Sequence, residues 1–150
     1  MPLCYHNFAE YDFKGTCEIR EGQRMTEKAK TIALIAHDGK KADMVAFAMR
    51  HKQVLEKYSM VGTSTTGELL RDQCGLDVKR MLSGPIGGDA QIAAMVAEGK
   101  ISAVFFFVDP LGKHSHDPDI QSLLRICNAH NVPLATNTAT ATFIISTKAL

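Results

Sequence analysis

Five apolar runs, each followed by a helical stretch, predict an α/β fold in which helices cover both faces of a parallel sheet. Two further observations support this. Thr31–Ala36 (TIALIA) and the run from Ile101 to Val108 are apolar almost throughout, as strands buried on both faces must be. No strand is joined directly to the next by a hairpin dipeptide, so neighbouring strands are linked by helical crossovers.

The elements follow in order. The first strand ends abruptly at His37-Asp38-Gly39, and a helix from about Lys41 to Lys57 carries Met44, Phe47, Ala48, His51 and Leu55 along one stripe. Ser59–Gly62 reads as the second strand. Thr63-Ser64-Thr65-Thr66-Gly67 then forms a polar loop, and a helix carrying Leu69 and Leu70 stops near Gly75. Val78–Leu82 is the third strand. It leads into Ser83-Gly84-Pro85-Ile86-Gly87-Gly88-Asp89, whose three glycines and one proline specify a loop. Asp89 falls where it can cap the helix of Ile92, Met95 and Val96, which Gly99 ends. After the fourth strand, the loop from Asp109 to Asp119 precedes a helix marked by Ile120, Leu123, Leu124 and Cys127. Pro133–Thr136 is the fifth strand, and a short helix covers about Thr140 to Ile145.

A length of 150 residues suits one domain with a substantial core. With 45% hydrophobic residues, 22% charged and a net charge of +1, neither disorder nor an overall basic nucleic-acid binder is indicated. Residues 1–24 lack a clear period and read as an N-terminal extension, open to disorder, ahead of a domain at 25–150. Cys4, Cys17, Cys74 and Cys127 form no Cys-x-x-Cys pair and are expected as free thiols in a reducing cytoplasm. No apolar run is long enough to span a bilayer, and residues 1–24 lack the apolar core of a signal peptide. A soluble cytoplasmic protein with no membrane partner is the expectation.

In a parallel sheet the loops leaving the carboxyl ends of the strands share one edge, where ligands bind. Each polar cluster of this chain occupies such a position: His37, Asp38 and Lys41; Thr63 to Thr66; Ser83 to Asp89; Asp109 to Asp119. The threonine-rich run offers hydroxyls and N–H groups at a helix start, which suits a phosphate, although hydroxyl-rich turns also cap helices with no ligand. Ser83 adds a hydroxyl, Gly84 a close backbone approach and Lys41 a full positive charge. Neither G-x-x-x-x-G-K-[ST] nor G-x-G-x-x-G occurs, so a monophosphate fits better than a nucleotide. Asp38, Asp89, Asp109, Asp117 and Asp119, with His37, His114 and His116, would crowd one rim. Crowded carboxylates can hold acid and base forms together near neutral pH, which suits proton transfer. The same inventory is open to a divalent metal, although His114-x-His116-Asp117 is not the helical zinc pattern. Asp89 itself is open to two readings, a helix cap or a base.

The ordered set His-Asp-x-x-Lys at 37–41, Thr-x-Thr-Thr-Gly at 63–67, Ser-Gly-Pro-x-Gly-Gly-Asp at 83–89, Asp-Pro-Leu at 109–111, His-Asp-Pro-Asp at 116–119 and Ala-Thr-Asn-x-Ala-Thr-Ala at 135–141 resembles the methylglyoxal synthase family over roughly residues 30–146. The resemblance implies a Rossmann-like α/β/α sandwich with a five-stranded parallel sheet in the order 3-2-1-4-5. It implies conversion of dihydroxyacetone phosphate to methylglyoxal and inorganic phosphate, with no metal or cofactor. Asp89 would be the base that forms an enediolate. His116 would hold the substrate's oxygens, with His37 beside it. Lys41, Thr63, Ser64, Thr65, Thr66, Ser83 and Gly84 would grip the phosphate, and Asp38, Asp109 and Asp119 would support the site. A homo-oligomer, up to a hexamer, and inhibition by inorganic phosphate are implied as well. Ser64 stands where the family commonly has glycine, and the chain ends at Leu150 without the C-terminal Arg that reaches a neighbouring site in the family. Two other readings stay in play: a noncatalytic phosphate-ligand-binding regulatory domain of the same fold, and a metallohydrolase.

Overall fold

The computed structural model describes residues 30–112 and 117–146. Its centre is β1 (Thr31–Ala36), flanked by β2 (Ser59–Gly62) and β4 (Ala103–Phe107), with β3 (Val78–Arg80) and β5 (Leu134–Ala135) at the edges. The order is β3-β2-β1-β4-β5, and every pairing is parallel, with Ile32 opposite Met60 on one side and Ala103 on the other. This is the expected sheet.

Strand alternation divides the core in two. Ile32, Leu34 and Ala36 of β1, with Ala103, Phe105 and Phe107 of β4, face α1 (Lys41–Arg50), the short α2 (Lys52–Leu55), α3 (Ser64–Cys74) and α6 (Thr138–Ser146). Ala33, Ile35, Val104 and Phe106 face α4 (Gly88–Ala97) and α5 (Asp117–Ala129) on the opposite side. The chain winds outward from β1 to β3, then crosses back through α4 to β4, so winding reverses between β1 and β4. A crevice opens at that reversal, outside the strands' carboxyl ends.

Several boundaries differ from the sequence reading. The helix expected over 41–57 is interrupted at His51, which has φ −109° and ψ 16° and whose carbonyl accepts both the Val54 and Leu55 N–H groups. Phe47 and Leu55 remain in one core across the break, so the apolar period runs on and conceals it. The threonine-rich run is no loop: α3 begins at Ser64, and these residues form its first turn. β3 stops at Arg80 instead of Leu82. Met81 N–H still reaches Gly62 O at 2.7 Å, but Leu82 N–H turns away to a side chain. Asp89 is not the cap of α4. That position belongs to Gly87, whose φ of 108° is costly for any residue with a Cβ, and Asp89 sits inside the first turn.

His51 carries a pH consequence. Its ring packs on Phe47 with centroids 4.9 Å apart, and its buried Nε2 has no hydrogen-bond partner among the described residues. Desolvation first, then the neighbouring Arg50 charge, lowers its pKa below the ordinary 6.5. The unfolded chain therefore takes up this proton before the folded chain does. Stability contributed by neutral His51 is complete above about pH 6.5 and is lost as pH falls through the lowered folded value. Urea unfolding at a series of acidic pH values is expected to show a shallower loss in His51→Gln than in the natural chain.

Candidate active site

The crevice contains a cavity of about 220 Å³, walled by Ile35 and Phe106 and ringed by His37, Asp38, Lys41, Thr63, Thr65, Ser83, Gly84, Pro85 and Asp89. Its polar members come from the ends of β1, β2 and β3 and from the start of α4. His37, Thr63, Thr66 and Asp89 are the buried polar residues in the described part of the chain, and all four belong to this edge. Burying polar side chains is costly unless the surroundings satisfy them, so their concentration here marks function more than folding.

Asp89 is 1% exposed and lies in the first turn of α4. Three hydrogen bonds fold the loop before it: Ile86 N–H and Gly88 N–H to Ser83 O at 3.2 and 2.9 Å, and Gly87 N–H to Gly84 O at 3.0 Å. Gly88 packs so closely on Leu82 that a Cβ there would lie 2.0 Å from the Leu82 carbonyl oxygen. A short side chain on a tightly bonded turn is a rigidly held carboxylate.

His37 is 5% exposed, with its ring edge-on to Phe106 at 5.1 Å. The backbone N–H of Asp109 donates to His37 Nδ1 at 2.9 Å. An Nδ1 that accepts cannot carry a hydrogen, so the neutral ring holds its proton on Nε2 and can donate from there. Beyond β1, Lys41 is 19% exposed and pairs with the Asp38 carboxylate, whose own side chain is 95% exposed. The ammonium is thus held at the cavity rim while its counterion faces solvent.

At α3 the turn sorts its four hydroxyl residues. Thr63 and Thr65 line the cavity. The Thr66 hydroxyl instead points inward, donating to Ala36 O at 3.4 Å and accepting from the Thr63 hydroxyl at 3.3 Å. Ser64 N–H donates to Leu82 O at 3.2 Å, bracing this turn against the next loop. Intrahelical bonding starts with Gly67 N–H to Thr63 O, so the Thr65 and Thr66 N–H groups have no intrahelical acceptor and remain suited to an anion.

Of the residues that the sequence singles out, then, Asp89, His37, Asp38, Lys41, Thr63, Thr65, Ser83 and Gly84 border one cavity. Ser64, Thr66, Asp109 and Asp119 do not border it. Asp109 reaches the site through its N–H, while its carboxylate accepts Leu111 N–H at 3.0 Å and lies against Gly39. Asp119 is exposed in the first turn of α5. His114 and His116 lie outside the described residues. No group of His, Cys, Asp and Glu arranged for a metal ion occurs among the described residues, and no described helix is long and apolar enough to cross a membrane.

A family profile described as an MGS-like domain matches residues 43–136. The chain is 56% identical over 117 residues to a methylglyoxal synthase of Thermus thermophilus, covering 78% of this chain and 93% of that protein. The chain belongs to the methylglyoxal synthase family. A second relative, methylglyoxal synthase of Clostridium botulinum strain Alaska E43, is 54% identical over 114 residues, covering 76% of this chain and 96% of its own. Among solved structures, methylglyoxal synthase from Elizabethkingia anophelis NUHP1 superposes with a TM-score of 0.75 at 45% identity, covering 79% of this chain and 78% of that one.

Within this methylglyoxal synthase fold, Phe106 and Pro85 line the cavity, though the sequence marked Phe106 only as strand and Pro85 only as a turn residue. Gln91 bonds the backbone ahead of the Ser83 loop without having been singled out. Phe106 was hidden inside an apolar run in which only alternation separates a cavity wall from core. Gln91 had a visible signal: apart from Asp89, it is the single polar side chain within the otherwise small and apolar α4.

Proposed function

We propose that the chain is a methylglyoxal synthase that eliminates phosphate from dihydroxyacetone phosphate. The observation that carries this reading is the placement of one deeply buried carboxylate, Asp89, on the same small cavity as Thr63, Thr65, Ser83, Gly84 and Lys41. At about 220 Å³ the cavity suits a triose phosphate better than a nucleotide, since drug-sized ligands occupy roughly 300 Å³ or more.

Asp89 removes a proton from the hydroxymethyl carbon, and the electron pair moves onto the carbonyl oxygen to give an enediolate. A carbon acid beside a carbonyl is weak, so the base must be near contact and the growing oxyanion needs preorganised donors. The Nε2–H of His37 is one such donor, and His116 is the second by its place in the family motif. The proton of the hydroxyl on the deprotonated carbon then passes to the former carbonyl oxygen, so the electron pair left on the first oxygen forms the aldehyde carbonyl. The enediolate double bond shifts to the carbon that bears phosphate. The bond from that carbon to the bridging oxygen breaks with its pair leaving on phosphate, and the resulting enol tautomerises to methylglyoxal. Lys41, the cavity-lining hydroxyls and the α3 N-terminus hold the phosphate and absorb charge as it departs. Asp38 holds Lys41, Ser64 and Thr66 act through the bracing of the α3 turn, and Asp109 acts through its N–H on His37. The same phosphate clamp makes inorganic phosphate a competitive product inhibitor.

Purified protein incubated with dihydroxyacetone phosphate is expected to release methylglyoxal and inorganic phosphate in equal amounts, with or without a chelator. Glyceraldehyde 3-phosphate as the main product would overturn the elimination step. Tight phosphate binding with no turnover would instead favour a regulatory domain.

A further inference from the structure

Leu82 lies just past the end of β3, where the β2 ladder no longer supplies an acceptor for its N–H. The structure provides one from another element: Leu82 N–H donates to Gln91 Oε1 at 2.8 Å. The carbonyl of Leu82 accepts Ser64 N–H at 3.2 Å, and Gly88 packs directly against it. One residue's backbone therefore touches the phosphate-side turn of α3, the loop carrying Ser83 and Gly84, and the helix carrying Asp89. Gln91 does not border the cavity, yet it is two residues from Asp89 on the same helix.

We infer that Gln91 is a positioning residue, which clasps α4 to the Leu82 backbone and thereby sets the spacing between the phosphate grip at Ser83–Gly84 and the Asp89 carboxylate. This rests on the proposed reaction, in which both ends of one small rigid substrate are held at once. The distance from phosphate to the abstracted proton is then a property of the substrate, and the protein must match it. Misplacing a reacting group by about 1 Å can cost on the order of 10²-fold in rate. A clasp on the base-bearing helix acts on that distance, whereas most of the phosphate clamp, Lys41, Thr63 and Thr65, stands on α1 and the α3 turn, which the clasp leaves in place.

The test compares Gln91→Leu, which removes the acceptor, with Gln91→Glu, which keeps an acceptor oxygen at the same reach. Values of kcat and KM for dihydroxyacetone phosphate are taken on the pH plateau of each protein, and inorganic-phosphate affinity is measured by calorimetry. The expected result is a fall in kcat of about 10- to 100-fold for Gln91→Leu, with KM and phosphate affinity within about threefold of the natural chain, and recovery of most of kcat in Gln91→Glu. Should Gln91→Leu not fold, Gln91→Asn, which keeps the amide but is one methylene short, is expected to show the same split. Unchanged kcat in a folded variant lacking the clasp, or parallel losses in kcat and phosphate affinity, would overturn the inference. So would a Gln91→Glu protein as slow as Gln91→Leu. A natural chain that forms no methylglyoxal overturns the proposed reaction and this inference together; an active one with an indifferent Gln91 overturns this inference alone.

Discussion

Asp89→Asn is expected to reduce methylglyoxal formation by about 10²- to 10⁴-fold, the range for loss of a positioned general base. The substitution keeps the shape of the side chain and removes its ability to accept the proton. Because Asp89 is 1% exposed on a tightly bonded turn, neither bulk water nor a neighbouring carboxylate can readily take its place. Inorganic phosphate should bind the variant within a few-fold of the natural affinity, since the α3 turn and Lys41 are untouched. Calorimetry with phosphate, run beside the rate assay, separates loss of chemistry from loss of the site. A variant turning over at the natural rate would remove Asp89 from the role of base and leave it a buried helix-start residue.

Gly88→Ala is the second large effect, and it acts through the backbone. The new Cβ would lie 2.0 Å from Leu82 O, 2.8 Å from Leu82 C and 3.0 Å from Ser83 C. These are main-chain atoms, so relief requires moving the loop or the start of α4. The expected loss is about 3 kcal/mol, the upper part of the usual overpacking range, or on the order of 10 °C in Tm. Gly99→Ala is the control. Gly99 has φ 70° with nothing within 4 Å of an added methyl, so only the backbone penalty of about 1 kcal/mol applies. Thermal unfolding followed by circular dichroism reads both, and equal shifts in the two variants would show that the close approach at Gly88 carries no special cost.

The parts of the fold that were legible in the sequence are those where burial dictates composition. β1 and β4 are covered on both sides, so every position past Thr31 at the mouth of β1 is apolar, and the alternation of helices with strands left a parallel sheet as the economical arrangement. The edge that carries the site followed from topology alone. What sequence could not resolve was rotation and local closure. Successive residues of a helix point about 100° apart, so Thr65 lines the cavity beside Thr63 while the Thr66 hydroxyl turns to Ala36 O, yet all read alike as a polar run. Two adjacent glycines left the start of α4 ambiguous, and a positive φ at Gly87 decided it. The interruption at His51 was invisible because the apolar stripe continues through it. At Gln91 the sequence shows a lone amide in an apolar helix but not its partner, because the bond joins residues nine apart through one side chain and one backbone N–H.

The bond from Asp109 N–H to His37 Nδ1 bears on how this site can drift over evolutionary time. The donor belongs to the main chain, so every residue but proline at position 109 supplies it, whatever its side chain. The proton arrangement of the imidazole is therefore shielded from most single substitutions at its own support. Variation at position 109 would alter the turn to Leu111 and the packing on Gly39 while leaving the histidine's tautomer intact. Only Asp109→Pro deletes the donor itself, which makes it the one exchange at this position able to turn the ring over to its other form.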